Sequence, residues 1–235
     1  MLIRCLPSSE AVSLELARTI AQALKPGARL AIPSGETPRR AYAILGDWVE
    51  TGTISFAGTR LFALDEYRGL PPEHPESFAT FFAEALLSRI DLPEGAFQIP
   101  RGDAADPEAE TARYEAMIAD GGLDIAFLGI GRNGHIAFNE PADRLTVRTH
   151  VATLAEMTRQ GMPASIQHVK QGLTMGVGTI CQAQKVVLAA TGASKAQAIA
   201  QTAGAWVDPQ CPASVLQVHP DAELLLDPEA AGLLS

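Results

Sequence analysis

Apolar residues recur every four positions at Val12, Leu16, Ile20 and Leu24, the spacing of one face of a helix. Ser8 or Ser9 can cap its start, since a hydroxyl accepts from a free first-turn amide, and Lys25-Pro26-Gly27 stops it. The pattern then shortens. Ala28–Ile32, Arg60–Leu64 and the apolar run Leu123-Asp-Ile-Ala-Phe-Leu-Gly-Ile130 have the length and composition of buried strands. Helices are predicted from about Pro38 to Leu45, with Thr37 as cap and Pro38 in the first turn, from Ser77 to about Ile90, and from Pro107 to Ala119. Pro71-Pro-Glu-His-Pro75 must be a loop. Apolar runs at 172–178, 185–190 and 223–226 alternate with helical stretches near 194–203 and 213–218. This alternation predicts an α/β fold, a mostly parallel sheet flanked by helices on both faces. With no repeat, low-complexity segment or linker, residues 1–235 read as a single domain. Ligands of such sheets bind beyond the carboxyl ends of the strands, where three polar loops emerge: 33–38, 65–75 and 131–141.

Composition narrows the function classes. A chain of 235 residues, 47% of them hydrophobic, can bury a sizeable core. The net charge of −9 and the lack of any Lys/Arg run argue against an extended nucleic-acid or anionic-membrane surface, though a local pocket of amides and one or two cations can still hold phosphate. No basic segment followed by an apolar one opens the chain, so no secretory signal is expected, and nothing approaches the roughly 20 apolar residues of a membrane span. Cys5, Cys181 and Cys211 show neither C-x-x-C nor metal-ligand spacing, which points to reduced thiols in the cytoplasm.

Candidate chemistry collects in the loops. Gly129-Ile-Gly-Arg-Asn-Gly134 matches the dinucleotide pattern G-x-G-x-x-G, but that fingerprint needs a helix directly after its third glycine. Here His135-Ile-Ala-Phe-Asn-Glu-Pro141 follows, and Pro141 would end any helix within two turns. What the turn offers instead is His135 and Glu140, a pair able to hold and move a proton; taken alone, His135 is more commonly a satisfied surface or core histidine. Ser34-Gly-Glu-Thr-Pro38 and Thr191-Gly-Ala-Ser-Lys195 each leave a strand and open a helix, an arrangement that suits an anion and also serves as ordinary turn chemistry. Asp65 and Glu66 follow a strand directly. Neighbouring side chains on an extended chain point to opposite sides, so one of them can face a pocket as a general base while the other bonds loop amides. Phe78, Phe81, Phe82, Leu86 and Leu87 read as core.

Together these residues closely resemble the glucosamine-6-phosphate deaminase (isomerase) family. The carriers are Ser34-Gly-Glu-Thr-Pro38, Leu64-Asp-Glu-Tyr-Arg-Gly-Leu-Pro71, Glu73-His-Pro-Glu-Ser77 and Gly131–Pro141, with Leu173–Thr179, Gly192–Lys195 and Ser214–His219 in family order. The related 6-phosphogluconolactonases share the phosphate loop and a Gly-His turn but carry Asp-Glu-Arg where this chain has Asp-Glu-Tyr. The resemblance implies a modified Rossmann-like fold. It also implies conversion of glucosamine 6-phosphate and water to fructose 6-phosphate and ammonia, without metal or organic cofactor. It assigns ring opening to His135, oriented by Glu140 with Asn133 beside them, and the C2-to-C1 proton shuttle to Asp65. Phosphate binding falls to Ser34, Gly35, Glu36, Thr37 and Lys195.

Departures from the family pattern are informative. Many members have Asp at the position of Asn133, and Gly or Ser at that of Glu36. The family's phosphate-binding Arg belongs to an Asn-Ser-Arg-Phe segment that is shortened here to Thr158-Arg-Gln-Gly-Met-Pro-Ala164; Arg159, His168 or Lys170 could replace it, and Arg159 is carried as the candidate. The family's allosteric Arg and Lys correspond to His150 and Ala152, so no amino-sugar phosphate activation is expected. Residues 143–172 are expected to form a lid, and a monomer or dimer is favoured. The partner implied is a small amino-sugar phosphate, with no nucleic acid or membrane. Galactosamine 6-phosphate, lactone hydrolysis and a non-enzymatic sugar-phosphate sensor are the rival readings, in that order.

Overall fold

The computed structural model describes residues 1–234. Its strands are β1 (Leu2–Cys5), β2 (Arg29–Ile32), β3 (Arg60–Ala63), β4 (Asp65–Tyr67), β5 (Phe97–Gln98), β6 (Ile125–Leu128), β7 (His150–Thr153), β8 (Gln171–Thr174), β9 (Lys185–Ala190) and β10 (Ala222–Leu226). Its helices are α1 (Ser9–Ala23), α2 (Glu36–Glu50), α3 (Phe78–Ala85), α4 (Pro107–Ala119), α5 (Glu156–Gln160), α6 (Val177–Cys181) and α7 (Ala196–Thr202). Seven strands form one sheet in the order β1-β10-β9-β6-β2-β3-β5, every pair parallel. β4, β8 and β7 form a second, antiparallel sheet.

Strand alternation divides the core between the two faces of the large sheet. Leu30 and Ile32 of β2 and Val187 of β9 pack with Val12, Leu16 and Tyr42 from α1 and α2. Ala31 and Leu188 face the other way, onto Tyr114 and Ile118 of α4 and Ile199 of α7. Both faces are therefore covered, which is why β2, β6, β9 and β10 are predominantly apolar rather than alternating. The small sheet has a satellite core built from Tyr67, Phe138, Leu154, Met162 and Ile166.

The predicted capping holds for α1, where the Ser8 hydroxyl accepts from the Ala11 amide, and for α3, where Ser77 accepts from Thr80. Elsewhere the boundaries differ. α2 starts at Glu36 and runs to Glu50, capped by Gly35 at φ 112° rather than by Thr37. Only glycine adopts that backbone without strain, and it allows the helix to begin two residues before Pro38. α3 ends at Ala85 and passes into a 3₁₀ turn, Leu87–Arg89. The run 172–178 splits into β8 and the start of α6 at Val177, and 212–218 is 3₁₀. Asp65–Tyr67, read as the start of a loop, is a strand because β8 supplies an antiparallel partner distant in sequence.

Candidate active site

Three adjacent strands of the large sheet, β9, β6 and β2, end side by side, and their loops carry Thr191–Lys195, Gly129–His135 and Pro33–Thr37. Here a cleft of about 370 Å³ opens. Its wall includes Ser34, Gly35, Glu36, Thr37, Asp65 and His135, and also Arg132, Asn133 and Lys195. The loop sequences thus meet at one place although they are far apart along the chain.

Asp65 is 6% exposed, and among the described residues its carboxylate has no hydrogen-bond partner, opening instead into the cleft. Burial holds it well above the usual carboxylate range, and the charge of Glu66 adds to the shift. Glu66 points the other way, as alternation along β4 requires. Its carboxylate accepts from the amides of Tyr67 at 2.7 Å, Phe78 at 3.0 Å and Ala79 at 2.9 Å, tying β4 to the start of α3. Burial raises Glu66 to about 7, with those three amides acting in the opposite sense.

The turn after β6 gathers a polar group around Glu140. Glu140 Oε2 lies 3.1 Å from His135 Nδ1 and 2.8 Å from Asn133 Nδ2. Asn133 Oδ1 in turn accepts from the His135 amide at 3.2 Å. Glu140 Oε1 accepts from the Ala155 amide at 3.3 Å, and Thr158 Oγ1 stands 3.2 Å from His135 Nδ1. Burial alone would raise the Glu140 carboxyl, but bonds from His135, Thr158 and Asn133 outweigh it and hold the group below its ordinary value. An ionised Glu140 calls for a proton on His135 Nδ1 and leaves Nε2 for the cleft. The ring lies against Gly131: a Cβ there would sit 2.4 Å from Nε2. Any other residue at 131 would displace the imidazole.

At the opposite flank, Thr37 Oγ1 and Thr191 Oγ1 are 3.2 Å apart, joining the loops after β2 and β9. Lys195 Nζ donates to Ile130 O at 2.7 Å, which aims the ammonium at the end of β6. Burial and the nearby Arg132 charge lower its pKa. The amides that open α2 have no intrahelical acceptor and suit an anion. The side chain of Glu36 is 88% exposed and pairs with Arg39 at 3.3 Å, so its charge is drawn to solvent.

Arg159 does not line the cleft, and neither do His168 and Lys170. On α5 successive residues turn by about 100°, so with Thr158 directed at His135, Arg159 is carried off the cleft. The cations on the wall are Lys195 and Arg132, the latter an exposed residue inside the glycine loop. Arg132 went unassigned by sequence reasoning, although its place between two anion-suited loops was a usable signal. Phe78, read as core, also lines the cleft, packed 4.6 Å from the Tyr67 ring and 5.8 Å from Phe138. Of the expected lid, Met157, Thr158, Gly161 and Met162 reach the cleft. Among the described residues no group of His, Cys, Asp and Glu has the arrangement of a metal site, and no helix is long and apolar enough to cross a membrane.

Known proteins resemble this chain over nearly its whole length. The family model described as glucosamine-6-phosphate isomerases/6-phosphogluconolactonase matches residues 8–225. The chain is 41% identical to a glucosamine-6-phosphate deaminase of Corynebacterium aurimucosum, covering 100% of this chain and 93% of that protein. It is 39% identical to one from Alkaliphilus oremlandii, over the full length of both. Among solved structures, a monomeric glucosamine-6-phosphate deaminase superposes with a TM-score of 0.95 at 38% identity, covering 99% of this chain and 100% of that one. A 6-phosphogluconolactonase from Trypanosoma cruzi, at 22% identity and a TM-score of 0.78 over 100% and 97% of the two chains, shares the fold.

Proposed function

The chain belongs to the family of glucosamine-6-phosphate isomerases and 6-phosphogluconolactonases, and we propose that it is a glucosamine-6-phosphate deaminase, converting glucosamine 6-phosphate and water to fructose 6-phosphate and ammonia. One observation carries the choice within the family: a single cleft holds an unbonded buried carboxylate, Asp65, together with a hydrogen-bonded His135–Glu140 pair. Lactone hydrolysis needs a water-activating group but no second base for carbon acids. An aldose–ketose isomerisation needs both.

In this reading His135 Nε2 carries a proton to or from the ring oxygen, with Glu140 stabilising the imidazolium across Nδ1. Asp65 takes the C2 proton of the opened sugar and returns it to C1. Removal of the C2 proton, with a proton taken up on O1, gives an enolamine; its protonation at C1 gives a C2 iminium, to which water adds before ammonia leaves and the ketone remains. Burial raises Asp65 above the usual carboxylate range, which makes it a stronger base once ionised. The phosphate binds against Ser34, Gly35, the amides of Glu36 and Thr37, Lys195 and Arg132, two cations suiting a dianion. Asn133 orients Glu140, and residues 157–162 form the part of the lid that acts on the site. Three unpaired cysteines suit a reducing cytoplasm, and the protein works as a monomer or dimer in amino-sugar breakdown.

The deciding assay measures ammonia and ketose from glucosamine 6-phosphate and galactosamine 6-phosphate, and acid release from 6-phosphogluconolactone. Turnover of the first in preference to the other two is expected. Preference for the galactose epimer would transfer the assignment to that sugar, and lactone hydrolysis alone would overturn it.

A further inference from the structure

Several threonine and serine hydroxyls inside the helices of this protein bond back to the carbonyl four residues earlier. Ser13 bonds Ser9 O, Thr19 bonds Glu15 O and Thr202 bonds Ala198 O. This is the ordinary local partner for a helical hydroxyl. Thr158, on α5, departs from it. Its Oγ1 lies 3.2 Å from His135 Nδ1, a residue 23 positions away in sequence, and its hydroxyl helps to hold the Glu140 carboxyl below its ordinary value.

The polarity of this group has one consistent solution. A carboxylate only accepts, so the Thr158 hydroxyl turns its proton towards Glu140. The oxygen of Thr158 is then left as an acceptor towards His135 Nδ1–H, which it shares with Glu140 Oε2 at 3.1 Å. Two neutral or charged acceptors on Nδ1–H leave the other ring nitrogen, Nε2, facing the cleft. Glu140 accepts from the amide of Ala155, the residue that precedes α5, and Thr158 on α5 stands against His135. The segment that walls the cleft therefore also completes the surroundings of the acid–base pair.

We propose that Thr158 is a positioning residue: through its contact with His135 Nδ1, beside Glu140, it helps to hold the Nδ1–H tautomer and points Nε2 at the sugar. The role rests on the deaminase reading for its catalytic consequence, but the tautomer itself is a property of the protein without substrate.

Thr158→Val removes the hydroxyl at nearly constant shape, and Thr158→Ser restores it. With glucosamine 6-phosphate as substrate, Thr158→Val is expected to lower kcat about ten-fold with KM unchanged within about two-fold, the scale of a lost bond to a charged group. The acid limb of its kcat profile should move to higher pH, since Glu140 loses a donor that favours its ionised form, and Thr158→Ser should restore both kcat and the limb. Nitrogen-15 NMR of the imidazole should show His135 as the Nδ1–H tautomer in the wild type and a mixture in Thr158→Val. An unchanged tautomer in Thr158→Val overturns the proposal, whether or not the sugar phosphate is turned over. A fall in kcat accompanied only by a lower Tm, with the pH limb fixed and no rescue by serine, likewise overturns it. Absence of turnover in the wild type would count against the deaminase reading alone, leaving the NMR result to decide the role of Thr158.

Discussion

His135 Nδ1 and Glu140 Oε2 are 3.1 Å apart, although five residues separate them on a segment that is neither helix nor regular strand. A tight turn brings them together. Ile136 and Asn139 form an isolated antiparallel bridge, and the Asn139 amide bonds Ile136 O at 3.1 Å. Asn139 Nδ2 bonds Ile136 O at 2.9 Å and Met175 O at 2.8 Å, anchoring the turn to the residue after β8. Ala137, at the tip, has φ 50°, a conformation that non-glycine residues adopt only where the surroundings impose it. The pair is thus held by backbone and by a buried amide rather than by its own attraction.

Replacing His135 by Gln removes the proton carrier while keeping a side chain able to hydrogen-bond. Turnover is expected to fall about 10²–10⁴-fold, the usual worth of a general acid–base group. Because the loss falls on ring opening, substrate presented in open-chain form should recover part of it. Stopped-flow measurement of ketose formation from the two forms checks this, and equal impairment with both would remove His135 from the ring-opening step.

Asp65→Asn should abolish isomerisation while substrate still binds, as read by calorimetric titration with the sugar phosphate. Near-wild-type turnover would exclude Asp65 as the base. The same variant has a second signature. The folded-state pKa of Asp65 is raised, so folding favours its neutral form. That contribution is present at low pH, below the unfolded pKa, and is lost as pH rises through the folded one. The neutral Asn escapes this loss. The Tm advantage of Asp65→Asn over wild type should therefore grow as pH rises from the ordinary carboxylate range through the raised folded-state pKa, reaching about 2–4 °C for each kcal/mol removed in a chain of this size.

Arg132 and Lys195 are expected to divide the phosphate between them. Lys195→Met should raise KM about 100-fold and Arg132→Met about ten-fold, the smaller effect reflecting a more exposed cation. kcat should change less than KM in both. Competition by inorganic phosphate checks the location: its inhibition constant should rise in parallel with KM. An unchanged KM in Arg132→Met would leave Lys195 as the sole cation on that group.

Much of the architecture was legible in residue order because it is local. The four-residue spacing from Val12 to Ile20, the caps Ser8 and Ser77, and the opening of α4 at Pro107 each depend on interactions within a few residues. Where strands ended, the site loops could be named too, since a parallel sheet presents its loops at one edge. β1 and β7 were not legible. The four residues His150–Thr153 carry little strand pattern of their own and are ordered by pairing with Gln171–Thr174.

What the sequence by itself determined was the kind of fold, a single α/β chain, and the set of loops in which Ser34, Asp65, His135, Glu140 and Lys195 are found. The tertiary structure alone decided which of those side chains turn inward. It set Asp65 into the cleft and Glu66 onto the amides opening α3, carried Arg159 away while presenting Thr158, and placed Arg132 beside Lys195. The physical reason is the same in each case. A loop's position follows from the strand it leaves, but a side chain's direction depends on partners 12 to 36 residues away, such as Phe78 for Glu66 and Met175 for the turn that carries Glu140.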